Sequence, residues 1–158
     1  MKRYVYFFLT VITITGFLSS RLIASGSKFG AGFILGSPSG LTGKLFISNT
    51  HAVDFGAGVV SDDLYVYGDY LLHFSDIFPI ANLALYLGVG AGFHDYEKDN
   101  RHKDNEDESR LEVRVPLGLE YMIQKIPLGL FAEIVPAMRV VPDVDFGIRF
   151  GLGVRYYF

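Results

Sequence analysis

Eleven charged side chains stand at alternate positions within otherwise apolar segments, and their spacing is the first chemical signal of this chain. They are Lys44, Asp54, Asp69, Glu112, Arg114, Glu120, Glu133, Arg139, Asp145, Arg149 and Arg155, with His73 on the same phase. Isolated ions removed from water are costly, so residues spaced this way are expected to pair. Five of the eleven are basic and six acidic, close to the balance that pairing needs. Two chemistries are open to such a set. A static network plugs the space that holds it, whereas pairs that exchange partners gate a narrow path for small solutes.

A second grouping is the segment from His94 to Ser109, which holds seven acids, three bases, two histidines and no aliphatic residue. Its candidate binding residues are His94, Asp95, Tyr96, Glu97, Lys98, Asp99, Arg101, His102, Lys103, Asp104, Glu106, Asp107 and Glu108. A solvated loop of this composition on a rigid scaffold suits contact with another molecule. His94 and His102 stand among carboxylates, but EF-hand spacing is missing and no metal is assigned. His94, Ser109, Asp95 and Glu108 are the one nucleophile, base and acid grouping at a rim, which makes a lipid-modifying enzyme the third functional reading. Serines and acids are common in solvated loops, so no enzymatic activity is expected.

Composition removes other classes. A chain of 158 residues has a one-domain length. Without cysteine it has neither a disulfide framework nor a thiolate metal site. A pI near 5.7 gives no electrostatic footprint for nucleic acid. The repeat Gly88-Val89-Gly90-Ala91-Gly92 lacks the spacing of a nucleotide loop, so no cofactor is expected and close packing explains the glycines.

The elements that position these residues are strands. Leu111, Val113, Val115, Leu117, Leu119 and Tyr121 alternate with Glu112, Arg114, Pro116, Gly118 and Glu120. Phe146 to Phe158 alternates in the same way, with Arg149, Gly151, Gly153 and Arg155 on the other phase. Successive side chains on a strand face opposite ways, so each segment has one greasy face and one small or charged face. The pattern predicts eight strands near 28–36, 41–48, 52–60, 64–74, 83–93, 110–121, 128–138 and 145–158. Most approach the ~9–11 residues that a tilted strand needs to cross a bilayer. A narrow eight-stranded interior suits glycines and a few long charged residues, while an apolar belt suits lipid. Phe74, Tyr121, Tyr156 and Phe158 would gather at one rim, with Phe93 and Phe146 at the other. Pro116 and Pro136 fall inside strands, which predicts a bulge or a lost ladder bond at each.

The N-terminus reads as a targeting segment. Lys2 and Arg3 precede the uncharged run Tyr4 to Leu18, followed by small residues around Ala24 and Ser25. That order predicts a cleaved signal peptide over residues 1–24. The domain expected to fold is then 25–158, with its longest charged connection, after the fifth strand, facing outward.

Several segments also resemble a known family. Leu35-Gly36-Ser37-Pro38-Ser39-Gly40-Leu41, Tyr67-Gly68-Asp69-Tyr70-Leu71-Leu72-His73-Phe74 and Val115-Pro116-Leu117-Gly118-Leu119-Glu120-Tyr121 look like stretches of small OmpA-like outer-membrane barrels of the spirochaete type. The likeness covers nearly all of the chain after the targeting segment. It implies an all-β, eight-stranded, up-and-down transmembrane barrel in a bacterial outer membrane, in contact with lipid, with its loops at the cell surface. It also implies that Tyr156-Tyr157-Phe158 is the signal read by outer-membrane assembly machinery. It implies no reaction, because fold alone does not specify chemistry. The expected role is therefore structural or adhesive, through an extracellular protein ligand at 94–109. A narrow gated channel is the alternative.

Overall fold

The computed structural model describes residues 29–61, 63–95, 110–141 and 144–158. The expected signal peptide lies outside the described residues. So do Tyr96, Glu97, Lys98, Asp99, Arg101, His102, Lys103, Asp104, Glu106, Asp107, Glu108 and Ser109 of the charged connection.

Nine strands follow one another: β1 (Phe29–Gly36), β2 (Ser39–Phe46), β3 (His51–Val60), β4 (Asp63–Phe74), β5 (Leu83–Asp95), β6 (Arg110–Arg114), β7 (Leu117–Met122), β8 (Leu128–Val141) and β9 (Asp145–Tyr157). Each pairs antiparallel with its neighbours, and β1 pairs with β9 to close the ring. β6 and β7 both lie between β5 and β8, so they are successive halves of one stave and the ring has eight. Closure leaves no free sheet edge.

The gap between β6 and β7 has a specific cause. Val115 donates its N–H to the carbonyl of Pro136 at 2.9 Å, and Gly88 donates to the carbonyl of Pro116 at 2.8 Å. Neither proline has an N–H to return, so one ladder bond is lost on each side of Val115-Pro116. The register does not slip. Arg114 pairs with Ala137 and Leu117 with Ile134, an equal advance on both strands. Both prolines therefore break bonds without forming a bulge. The irregularity of this stave lies further along, where Leu111 pairs with Val141 but Glu112 pairs with Arg139.

Other boundaries move for local reasons. β2 starts at Ser39, not Leu41, because the Ser39 hydroxyl accepts the Gly36 N–H and donates to the Gly36 carbonyl, each at 3.0 Å. Gly36 has φ of +128°, a conformation that favours glycine, and the turn that follows is short. β5 runs on through His94 and Asp95, which pair with Tyr65 and Leu64.

Polarity is inverted relative to a soluble domain. Leu35, Leu64, Val89, Phe150 and Leu152 are each more than half exposed on the outer surface. Lys44, Arg114 and Arg155 are 0% exposed in the lumen. The lumen is filled by rings laid over glycines of adjacent strands. A Cβ on Gly56 would stand 2.5 Å from the Tyr67 ring, on Gly118 2.3 Å from Tyr86, and on Gly153 2.3 Å from Phe131. The glycines in the alternation thus make room for aromatic side chains in a narrow interior.

Candidate functional site

The terminal end of the barrel is the mouth where β1 begins and β9 ends. The loop end is the mouth from which β5 runs toward residues 96–109. Between them the alternation of β2 to β9 sends one set of polar side chains inward, and they meet in four successive groups.

At the terminal end Lys44 donates to Glu120 Oε2 at 2.8 Å, and Tyr157 donates to the other oxygen of Glu120. His73 Nε2 lies 3.5 Å from the same carboxylate and 3.3 Å from the Lys44 ammonium. Next, Arg155 donates from Nη2 to Asp54 Oδ2 at 2.7 Å and to Thr42 Oγ1 at 2.7 Å. Its Nη1 also stands 3.8 Å from Glu120, which links the first group to the second. Tyr67 donates to Thr42 at 3.3 Å.

Mid-barrel, Arg114 lies 3.0 Å from Asp69 and 3.8 Å from Glu133. Tyr86 donates to Glu133 at 2.8 Å. Arg114 also donates to the Tyr65 hydroxyl at 2.9 Å, and Tyr65 in turn donates to Glu112. At the loop end Arg149 grips Glu112 with both terminal nitrogens, Nη2 donating to Oε2 at 2.6 Å. His94 completes this group, with Nε2 at 3.0 Å from Arg149 Nη2 and 3.5 Å from Glu112.

Each cation also lies over an aromatic ring. Arg155 is 3.8 Å from the Phe131 centroid, Arg114 4.0 Å from Tyr67, Lys44 4.4 Å from Tyr86 and Arg149 4.7 Å from Tyr65. A ring face attracts a cation without presenting another charge that must itself be neutralised. Charged pairs and rings thus form one connected packing along the barrel, and bidentate Arg–carboxylate contacts fix its geometry.

Of the charges expected to share the lumen, Lys44, Asp54, Asp69, His73, Glu112, Arg114, Glu120, Glu133, Arg149 and Arg155 are brought together. Arg139 and Asp145 are not. They stand 3.5 Å apart at the loop end, with side chains 32% and 64% exposed. The alternation does place them on the lumen face, but at the loop-end mouth, where both side chains meet solvent. His94 also departs from expectation. It is a strand residue, buried against the Tyr65 ring at 4.5 Å, not a loop residue. Its ring therefore belongs to the lumen packing at the loop end, while Ser109 lies outside the described residues.

The residues that pattern reading missed are Thr42, Tyr65, Tyr67, Tyr86 and Tyr157, whose hydroxyls join the ionic groups. Their signal was phase: Tyr65 and Tyr67 occupy the same alternate positions as Asp69 and His73. Among the described residues, no group of three or more His, Asp or Glu side chains is arranged to hold a metal ion.

The nine strands thus close into one antiparallel ring of eight staves around these charges. The N-terminal β-barrel domain of Pseudomonas aeruginosa OprF has this fold; its crystal structure superposes with a TM-score of 0.62 at 16% identity, covering 83% of this chain and 96% of that one. The chain belongs to the family described as "Protein of unknown function (DUF3996)", whose pattern matches residues 23–158. No curated protein matches the sequence.

Proposed function

We propose that this protein is an integral outer-membrane β-barrel with a structural or adhesive, non-enzymatic role, and that the 94–109 connection faces the cell exterior. The inverted polarity carries this reading. Soluble monomers rarely expose contiguous apolar patches beyond a few hundred Å². Here Leu, Val, Ile and Phe side chains cover every stave, Phe33, Leu41, Val59, Ile148 and Phe150 among them. In hydrocarbon such a belt needs no cover, and a closed ring satisfies its backbone internally. The rim aromatics agree: Phe29 lies 6.2 Å from Phe158, and Phe158 5.0 Å from Tyr156, at the terminal end.

The same proposal includes a signal peptide over residues 1–24 and recognition of Tyr156-Tyr157-Phe158 by assembly machinery. Tyr156 and Phe158 are exposed, and Tyr157 is buried. His94 is held inside the barrel, so the binding role rests on the remainder of the 94–109 connection, with an extracellular protein as the ligand class. Protease shaving of intact cells, with mass spectrometry of the fragments, tests the orientation. Cleavage confined to 96–109 is the expected result. Cleavage only after lysis would refute surface exposure, and the adhesive role with it.

A second reading, the gated channel, draws on two shared cations. Arg155 faces both Asp54 and Glu120, and Arg114 faces both Asp69 and Glu133. Planar-bilayer recordings decide between the two readings. The plugged barrel gives no conductance steps, and the channel gives discrete ones.

A further inference from the structure

Among the described strand residues, the outer face carries a single side chain able to hold positive charge. His51 opens β3 at the terminal end, in phase with Val53 and Phe55, and so faces outward. It pairs with Leu72 on one side. On the other side Ile47 donates its N–H to the His51 carbonyl at 2.9 Å. The side chains of Leu72 and Ile47 are exposed and apolar. An ionisable group on a membrane-facing surface is costly and marks a functional position. His73 and His94 each stand beside a lumen carboxylate, whereas His51 has no carboxylate partner among the described residues.

Two contacts fix this residue. Its backbone N–H donates to the Ser48 hydroxyl at 3.2 Å, which orders the turn before β3. Its ring Nδ1 lies 2.7 Å from the hydroxyl of the exposed Tyr70. A phenol both donates and accepts, so this contact serves Nδ1 whether it is bare or protonated. Nε2 has no protein partner among the described residues and is not enclosed. In the imidazolium, and in the tautomer whose Nδ1 accepts from Tyr70, Nε2 presents an N–H outward. A negatively charged acceptor placed there selects those two states. The rim supplies one, because the aromatic girdle of a membrane barrel lies at headgroup depth. At this rim Phe29 lies 6.4 Å from Phe55 and 6.2 Å from Phe158, ring to ring. A headgroup ammonium has only donors and does not match an N–H, whereas a phosphodiester oxygen does.

We propose that His51 and Tyr70 form a phospholipid site at the terminal-end rim. His51 Nε2 donates to a phosphodiester oxygen, and Tyr70 positions the ring. The proposal rests on the reading that the apolar face meets lipid, and it names a headgroup contact on that face.

The test is ¹⁵N–³¹P dipolar recoupling by solid-state NMR. The full chain carries ¹⁵N-histidine and is folded into bilayers of phosphatidylethanolamine with phosphatidylglycerol. His51→Gln identifies the His51 signals by their loss. His51 Nε2 should be dephased by phosphorus faster than Nδ1, and the lumen residues His73 and His94 should not be dephased. Tyr70→Phe should shrink the difference between the two His51 nitrogens. No dephasing at His51, or a difference unchanged in Tyr70→Phe, would overturn the proposal. The same dephasing by inorganic phosphate in maltoside micelles would make this a free-ion site and overturn the lipid assignment. Spin-label accessibility along β9 in the same bilayers reports the membrane reading separately. An embedded belt without the His51 contact removes the headgroup site alone, and a belt that is not embedded removes both.

Discussion

The two ends of the lumen use the same residue types at very different exposures. At the terminal end Lys44 and Arg155 are fully buried, and their partners Glu120 and Asp54 are nearly so. At the loop end the Arg149 side chain is 16% exposed and the Arg139–Asp145 pair is open to solvent. A buried ion has no water to fall back on, so its partner is obligatory. A rim ion has water, so its partner is optional. The contrast explains why alternation alone marks where a charge points but not how much depends on it.

Four substitutions would sharpen or break that contrast, all read by urea titration of the folded barrel in lipid through its tyrosine fluorescence. Arg155→Met should have the largest effect, because it strands both Asp54 and Glu120. Removing one partner of a buried pair costs about 3–5 kcal/mol. Arg149→Met should cost less, about 1.5–3 kcal/mol, the range for a hydrogen bond to a charged group, since water can reach part of the site. Gly92→Ala places a methyl group 2.1 Å from the Tyr65 hydroxyl, which must move off Glu112. Overpacking of this kind costs about 1–3 kcal/mol. Arg139→Ala should fall within about 1 kcal/mol of the parent, as exposed pairs do. Equal losses at Arg155 and Arg139 would remove the distinction between the two ends.

Much of this organisation was legible before any coordinates. Alternation fixed the lumen face of β4, β7 and β9, and with it the inward placement of Asp69, Glu120 and Arg155. The harder features depend on more than one strand. Tyr65, Tyr67, Tyr86 and Tyr157 share the phase of the lumen charges, but the partners of their hydroxyls lie on other strands, so alternation along one strand could not assign them. His94 continues the phase of Tyr86 and Gly92, but the charges that follow it hid the continuation of β5. Arg139 keeps the correct phase, yet it stands at the open mouth beside the irregular pairing at Leu111 and Glu112, which one strand's alternation does not show. Pro116 and Pro136 announced lost ladder bonds. That Pro116 lies within one two-residue gap and Pro136 opposite it, with unbroken register, follows only from knowing which strands are neighbours.

The central claim is that the apolar face meets lipid and the charged face lies within. The chain has no cysteine, so single cysteines can be placed along β9 without background. Spin labels at positions 146, 148, 150, 152 and 154, and at 147, 149, 151 and 153, would be read in lipid vesicles with oxygen and a water-soluble relaxation agent. The account predicts period-two accessibility, with the even positions open to oxygen and shielded from the aqueous agent. Even positions fully open to the aqueous agent in a folded barrel would contradict it.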